Sequence, residues 1–121
     1  MANLVPSQTE ILAGLEMGGI PIVTMLSQVT GLPCAFIRKE AKTYGTCKYA
    51  EGPTLQQKQV TLIEDVVSSG GAIIDALQKL KSDDILPVGI VCVIDRQTGG
   101  SEALASAGHE LRSLLTMSEI A

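Results

Sequence analysis

Two kinds of stretch alternate along the chain: short runs dense in Val, Ile and Leu, and longer ones where apolar residues return every three or four positions. Glu10–Leu15 is a short apolar run leading into the glycine turn Gly18–Gly19. Ile20–Val29 predicts a helix with Pro21 in its first turn, where a missing N–H costs little. Gly31 and Pro33 end it. Pro33–Ile37 predicts a second short strand, and Arg38–Pro53 is polar, charged and glycine-dotted with no clear period. Gln59–Ile63 predicts a β-branched strand, followed by the acidic pair Glu64–Asp65. Ile73, Ile74, Leu77 and Leu80 place a helix over Gly71–Lys81. Leu86–Ile94 is nearly all apolar, as expected of a strand buried on both faces of a parallel sheet. Ser101–Ala107 predicts a short helix and Glu110–Thr116 a last strand.

Strand–helix–strand alternation with short turns implies an α/β fold: a three-layer parallel sheet flanked by helices. Residues 1–121 read as a single domain, with no internal repeat, linker or low-complexity tract. In such sheets ligands sit outside the carboxyl ends of the strands. Three polar segments follow predicted strand ends, namely Glu16–Gly19, Glu64–Gly71 and Asp95–Gly100. All three are therefore expected on one edge, where they could form one site.

Composition narrows the function classes. The chain is 45% hydrophobic but only 2% aromatic, so its core must be aliphatic and it lacks platforms for stacking nucleic-acid bases. A net charge of −4 also argues against a nucleic-acid partner. The odd set Cys34, Cys47 and Cys92 has no metal-knuckle spacing and no disulfide framework, which points to a reducing cytoplasm. The opening residues, Met1–Glu10, carry neither the basic segment nor the apolar core of a secretory leader. The longest apolar stretch, Ile85–Ile94, is too short to span a bilayer, so no membrane partner is expected.

The candidate chemistry centres on Thr61–Ala72, where an apolar strand delivers two carboxylates, then two hydroxyls, two glycines and a helix. A phosphate monoester wants several N–H donors and a positive helix end. Gly70 and Gly71 let the backbone close around an anion without side-chain clash, and Ser68 and Ser69 add hydroxyl donors. Glu64 and Asp65 would repel a phosphate; they suit a diol or a magnesium-bound water. A cis-diol beside a phosphate is ribose 5-phosphate. Ser-Ser-Gly-Gly alone would be an ordinary strand–turn–helix joint; the adjacent acid pair tips the reading. The segment is neither a Walker A loop nor a dinucleotide fingerprint.

Thr61–Ala72 resembles the phosphoribosyl pyrophosphate motif of type I phosphoribosyltransferases. Phe36–Gly52, with Arg-Lys-Glu-x-Lys-x-x-Gly at its start, is similar to the catalytic loop of orotate phosphoribosyltransferases. Val93–Leu104 resembles that family's Asp-Arg segment beside the pyrimidine, and Ala13–Thr24 its pyrophosphate-side turn. The four matches follow the family's order and cover nearly all of the chain.

The resemblance implies a type I phosphoribosyltransferase core that transfers phosphoribose from 5-phosphoribosyl 1-pyrophosphate to orotate, giving orotidine 5′-monophosphate and pyrophosphate in pyrimidine biosynthesis. Arg38, Lys39, Lys42 and Tyr44 would bind the donor, together with Glu64, Asp65, Val66, Val67, Ser68, Ser69, Gly70, Gly71 and Ala72. Lys42, Glu64 and Asp65 would be the catalytic set, Lys42 acting at the leaving group. Tyr44 stands where many relatives carry His. Ser68 and Arg96 would hold orotate, the planar guanidinium suiting a carboxylate. Magnesium is the implied cofactor, held through substrate and water with no direct protein ligand. A homodimer is implied, its loop closing over the neighbour's site. Glu16–Gly19 would approach the pyrophosphate through main-chain N–H groups, at a turn that in the family often holds a non-proline cis peptide.

Four of the nine Lys and Arg residues fall between Arg38 and Lys48, a local charge that wants an anion. The alternative is a solvated loop in which Arg38 and Lys39 pair with Glu40 or Glu51. For Arg96 the alternative is an ion pair with Asp95 or Glu102. His109, the only histidine, reads as structural, and Cys34 and Cys92 as core residues. The family's hood over the base precedes its first core strand, and here only Met1–Thr9 stands there. Three readings follow: an orotate phosphoribosyltransferase, a phosphoribosyltransferase for another base, or a non-catalytic module that binds phosphoribosyl pyrophosphate.

Overall fold

The structure, a computed structural model, describes residues 1–39 and 50–120. Its ten regular elements are β1 (Ile11–Leu15), α1 (Gly19–Thr30), β2 (Cys34–Ile37), β3 (Ala50–Glu51), β4 (Gln59–Val67), α2 (Gly71–Ser82), β5 (Leu86–Asp95), α3 (Gly100–Ser106), β6 (Leu111–Thr116) and α4 (Met117–Ile120). A single 3-10 turn, Ala2–Leu4, precedes them.

The strands form one sheet in the order β3-β2-β1-β4-β5-β6. Every pairing is parallel except that of β2 with β3. The expected all-parallel sheet therefore needs one correction: Ala50–Glu51 adds an antiparallel edge from within the stretch that carries no periodicity. Two residues are too few to print an alternating pattern on the sequence.

Residues from the two faces of the sheet enter two cores. On one face Ile11, Ala13, Leu15, Val60, Leu62 and Ile90 pack with Ile73, Ala76, Leu77 and Leu80 of α2 and Leu104 of α3. On the other, Leu12, Ile63 and Val91 pack with Val23 and Leu26 of α1 and with Met1, Ala2, Leu4 and Val5 at the N-terminus. The alternation of strand side chains thus creates the three layers that the pattern predicts. β4 and β5 supply the fully buried Val60, Leu62, Ile63, Ile90 and Val91, as expected of central parallel strands.

Helix boundaries follow local chemistry. Pro21 lies in the first turn of α1, and Gly31 closes the helix in the left-handed region with φ 76°. Chain reversal happens beside β1. The path from β1 through α1 to β2 moves one way across the sheet, and β4 is then added on the other side of β1. That reversal leaves a crevice between the carboxyl ends of β1 and β4, the place where open α/β sheets take their ligands.

Candidate active site

The crevice holds a cavity of about 360 Å³ lined by Glu16, Met17, Gly18, Lys39 and the continuous run Glu64–Ile73. It brings together Lys39, Glu64, Asp65, Val66, Val67, Ser68, Ser69, Gly70, Gly71 and Ala72, ten of the residues the sequence singles out. Lys42 and Tyr44 lie outside the described residues.

Glu64 and Asp65 differ from expectation in one respect. They belong to β4 itself, which runs on to Val67, rather than to the turn after it. The ladder to β5 continues through Glu64–Cys92, Val66–Ile94 and Val67–Asp95, so tertiary pairing extends the strand past the apolar run. Both residues nevertheless line the same cavity. Asp65 accepts the Val66 N–H at 2.7 Å, and the Glu64 carboxyl accepts the Asp65 N–H at 3.0 Å. Burial raises the Glu64 carboxyl to about 7, helped by its side-chain hydrogen bond with Asp65 and that residue's charge.

Gly18 is where Asp65 finds room. A Cβ at that position would collide with the Asp65 carboxylate. The carboxylate occupies the space that a side chain at this position would need. The Glu16–Met17 peptide in the same turn is cis, as the resemblance implies.

The phosphate side is main chain. Gly70, at φ 86°, caps α2 in a left-handed conformation, and no side chain caps the helix. The Ile74 N–H bonds to the Gly70 carbonyl at 2.9 Å, so the N–H groups before it in the first turn have no helical acceptor. Among the described residues the Gly71 N–H meets only the Ser69 hydroxyl, at 3.4 Å. Free donors at a positive helix end, beside two serine hydroxyls, can bind a phosphate dianion.

Arg38 lines an adjoining cavity of about 350 Å³ between β2 and α2, shared with Lys39, Asp75 and Lys79. Its guanidinium lies 3.4 Å from Glu51, the pairing named above as the alternative, and its Nε is buried without a hydrogen-bond partner among the described residues. The Asp95–Gly100 segment is on the same sheet edge but behind the cavity wall. Arg96 N–H bonds to the Val67 carbonyl at 3.0 Å, and a Cβ on Gly100 would lie 2.7 Å from the Ser68 carbonyl oxygen. Arg96 itself is exposed, pairs with neither Asp95 nor Glu102 among the described residues, and does not line the cavity.

Ile73, as a wall residue, and the side chain of Glu16 are contributors the sequence reading missed. Cys92 is fully buried and its thiol is pushed up to about 12, chiefly by burial, which keeps it unreactive. His109 is half-buried and lines two cavities that share no residue with the crevice.

Comparison with known proteins agrees with this geometry. Residues 3–108 match the phosphoribosyl transferase domain. An orotate phosphoribosyltransferase of a Nocardioides species is 48% identical over 120 residues, covering 99% of this chain and 67% of the relative. That of Methanocella arvoryzae is 38% identical over 120 residues, covering 99% and 69%. Among solved structures, Mycobacterium tuberculosis orotate phosphoribosyltransferase in complex with 5-phospho-α-D-ribosyl 1-diphosphate superposes with a TM-score of 0.83 at 26% identity, over 95% of this chain and 67% of that one. The chain thus spans about two thirds of the length of these relatives. It belongs to the phosphoribosyl transferase domain family, among the orotate phosphoribosyltransferases.

Proposed function

We propose that the chain transfers phosphoribose from 5-phosphoribosyl 1-pyrophosphate to orotate. The observation that carries this reading is the single cavity in which an acid pair, a capless helix start and a lysine stand on three sides. The Ser68–Ala72 turn takes the 5-phosphate through main-chain donors. Glu64 and Asp65 accept hydrogen bonds from the ribose hydroxyls. Lys39 faces the pyrophosphate end, joined by Arg38 and, from outside the described residues, Lys42 and Tyr44. Ser68 and Arg96 are assigned to orotate by family match.

Departure of pyrophosphate leaves a cationic ribosyl centre and a highly charged leaving group. The chain's task is positioning and charge neutralisation, with Lys42 as the leaving-group cation. Magnesium fits as a cofactor bound by substrate oxygens and water. Among the described residues no cluster of three or more His, Cys, Asp or Glu could hold it directly, but the Glu64–Asp65 pair can accept from its water shell. When bound it supplies neutralising charge on the pyrophosphate.

A homodimer is part of the reading. Pro21, Met25 and Val29 recur at four-residue spacing on α1, and Met25 and Val29 are 66% and 70% exposed. Such an apolar stripe suits a second copy, and sedimentation velocity tests it. No helix among the described residues is long and apolar enough to cross a membrane, and the free thiols Cys34 and Cys92 suit the cytoplasm.

The test is loss of orotate absorbance with phosphoribosyl pyrophosphate and magnesium. Magnesium-dependent turnover is expected. Donor binding without turnover would favour another base or a non-catalytic module, a reading to which the exposed position of Arg96 outside the cavity lends weight.

A further inference from the structure

Lys39 is held by its main chain from two directions. Its N–H donates to the Glu16 carboxylate at 2.5 Å. Its carbonyl accepts a short hydrogen bond from the Lys79 ammonium. Glu16 comes from the turn after β1, and Lys79 from the last turns of α2. Helical side chains lean toward the N-terminus of their helix, which carries the Lys79 stem back toward the site end. Both contacts involve an ionised partner, and such hydrogen bonds are about twice as strong as neutral ones.

The arrangement is unusual for charged groups beside a cavity built for an anion. Three carboxylates, Glu16, Glu64 and Asp65, line that cavity. Glu64 and Asp65 have diol chemistry to do, whereas Glu16 would only repel pyrophosphate. Its engagement with the Lys39 N–H turns that liability into an anchor. Lys79 likewise spends its charge on a carbonyl at the edge of the second cavity. Lys39 lines both cavities, so where its backbone sits decides where its ammonium can reach.

We infer that Glu16 and Lys79 are positioning residues that clamp the Lys39 main chain and so set the reach of its ammonium to the pyrophosphate end of the ligand. α2 makes the clamp a ruler. Its first turn is the phosphate turn and its last turns hold Lys79, so one rigid helix links both ends of the donor's binding site. The inference rests on the reading in which this cavity takes phosphoribosyl pyrophosphate.

The experiment is a double-mutant cycle on the full chain with phosphoribosyl pyrophosphate and magnesium, read by calorimetry alongside thermal melting. Lys79→Met keeps the stem and removes the donor. It should weaken donor affinity about tenfold with the melting temperature nearly unchanged, the size expected for loss of a hydrogen bond to a charged group. Lys79→Arg should restore much of the loss. In a Lys39→Ala background, Lys79→Met should cost less than about twofold, because the side chain it positions is gone. Equal losses in both backgrounds would overturn the clamp, since a purely structural role does not need the Lys39 side chain. If Lys79→Met does not fold, Glu16→Gln enters the same cycle, and additivity there overturns the inference equally. An unaltered chain that fails to bind the donor overturns the proposed function itself; an unaltered chain that binds, with additive losses, overturns only the clamp.

Discussion

The carboxyl ends of β4 and β5 are built from the same parts and do different work. Each strand carries an aspartate at or near its end, Asp65 in β4 and Asp95 in β5, then turns through a glycine pair and starts a helix behind a left-handed glycine, Gly70 at φ 86° and Gly99 at φ 106°. After β4 the parts wall a cavity. After β5 they close on themselves: Asp95 is 8% exposed and accepts the Gln97 N–H at 2.8 Å. Gly100 packs against the β4 turn. The difference is the neighbour. β4 adjoins β1, where the chain reverses direction across the sheet, and the Glu16–Gly18 turn faces it across the crevice. β5 lies between β4 and β6 and finds no such partner. Local sequence makes a phosphate-shaped turn; topology decides whether anything can bind there.

The largest effect should come from the acid pair. Glu64→Gln with Asp65→Asn is expected to weaken phosphoribosyl pyrophosphate binding at least about 100-fold, from several hydrogen bonds lost to ionised acceptors. Asp95→Asn should leave affinity unchanged within about twofold and act on melting alone, because its partner is its own turn. Calorimetry on both variants checks this, and comparable affinity losses would erase the distinction between the two strand ends.

Next come the glycines. Gly18→Ala should displace the Asp65 carboxylate and lower donor affinity about tenfold, an expectation scaled to one charge-assisted hydrogen bond. Gly71→Ala should be tolerated, since the nearest atom to its Cβ is the Ser69 hydroxyl at 3.7 Å. Gly99→Ala meets no atom within 4 Å, and its left-handed backbone should cost only about 1–2 kcal/mol of stability. Donor titrations and chemical denaturation separate the three.

Proton linkage gives a finer contrast. Burial holds the Glu64 carboxyl at about 7, above its ordinary 4.5. The folded chain therefore binds more protons than the unfolded chain between those values, and stability should fall as pH rises through that window. Glu64→Gln should flatten this slope in denaturation curves taken from pH 4.5 to 7.5. Donor and magnesium favour the ionised carboxylate, so binding near pH 6.5 should release protons. Calorimetry in two buffers of different ionisation heat reads that release, and its absence would mean that Glu64 does not meet the ligand.

A further contrast concerns turnover rather than fold. Lys42→Ala should lower kcat far more than donor affinity, because a leaving-group cation acts mainly in the transition state. Stopped assays and calorimetry on one preparation make the comparison, and matching losses would reduce Lys42 to a binding contact.

Much of this was readable before any coordinates. Periodicity placed α1 and α2 to within a residue at most ends, because Gly31 and the Gly70–Gly71 pair punctuate them by backbone conformation. The aliphatic runs named the core strands, and the acid pair beside Ser-Ser-Gly-Gly named the ligand chemistry, since few groups ask for carboxylates and free N–H donors side by side. The two-residue β3 was not legible, because pairing with β2 and not its own pattern makes it a strand. Nor was the length of β4, which the β5 ladder carries through Glu64 and Asp65. Only the tertiary structure set Gly18 under Asp65, bound Lys39 between Glu16 and Lys79, and left Arg96 outside the cavity. Each of these joins residues tens of positions apart, and spacing along a chain carries no record of which turns will face each other across a sheet edge.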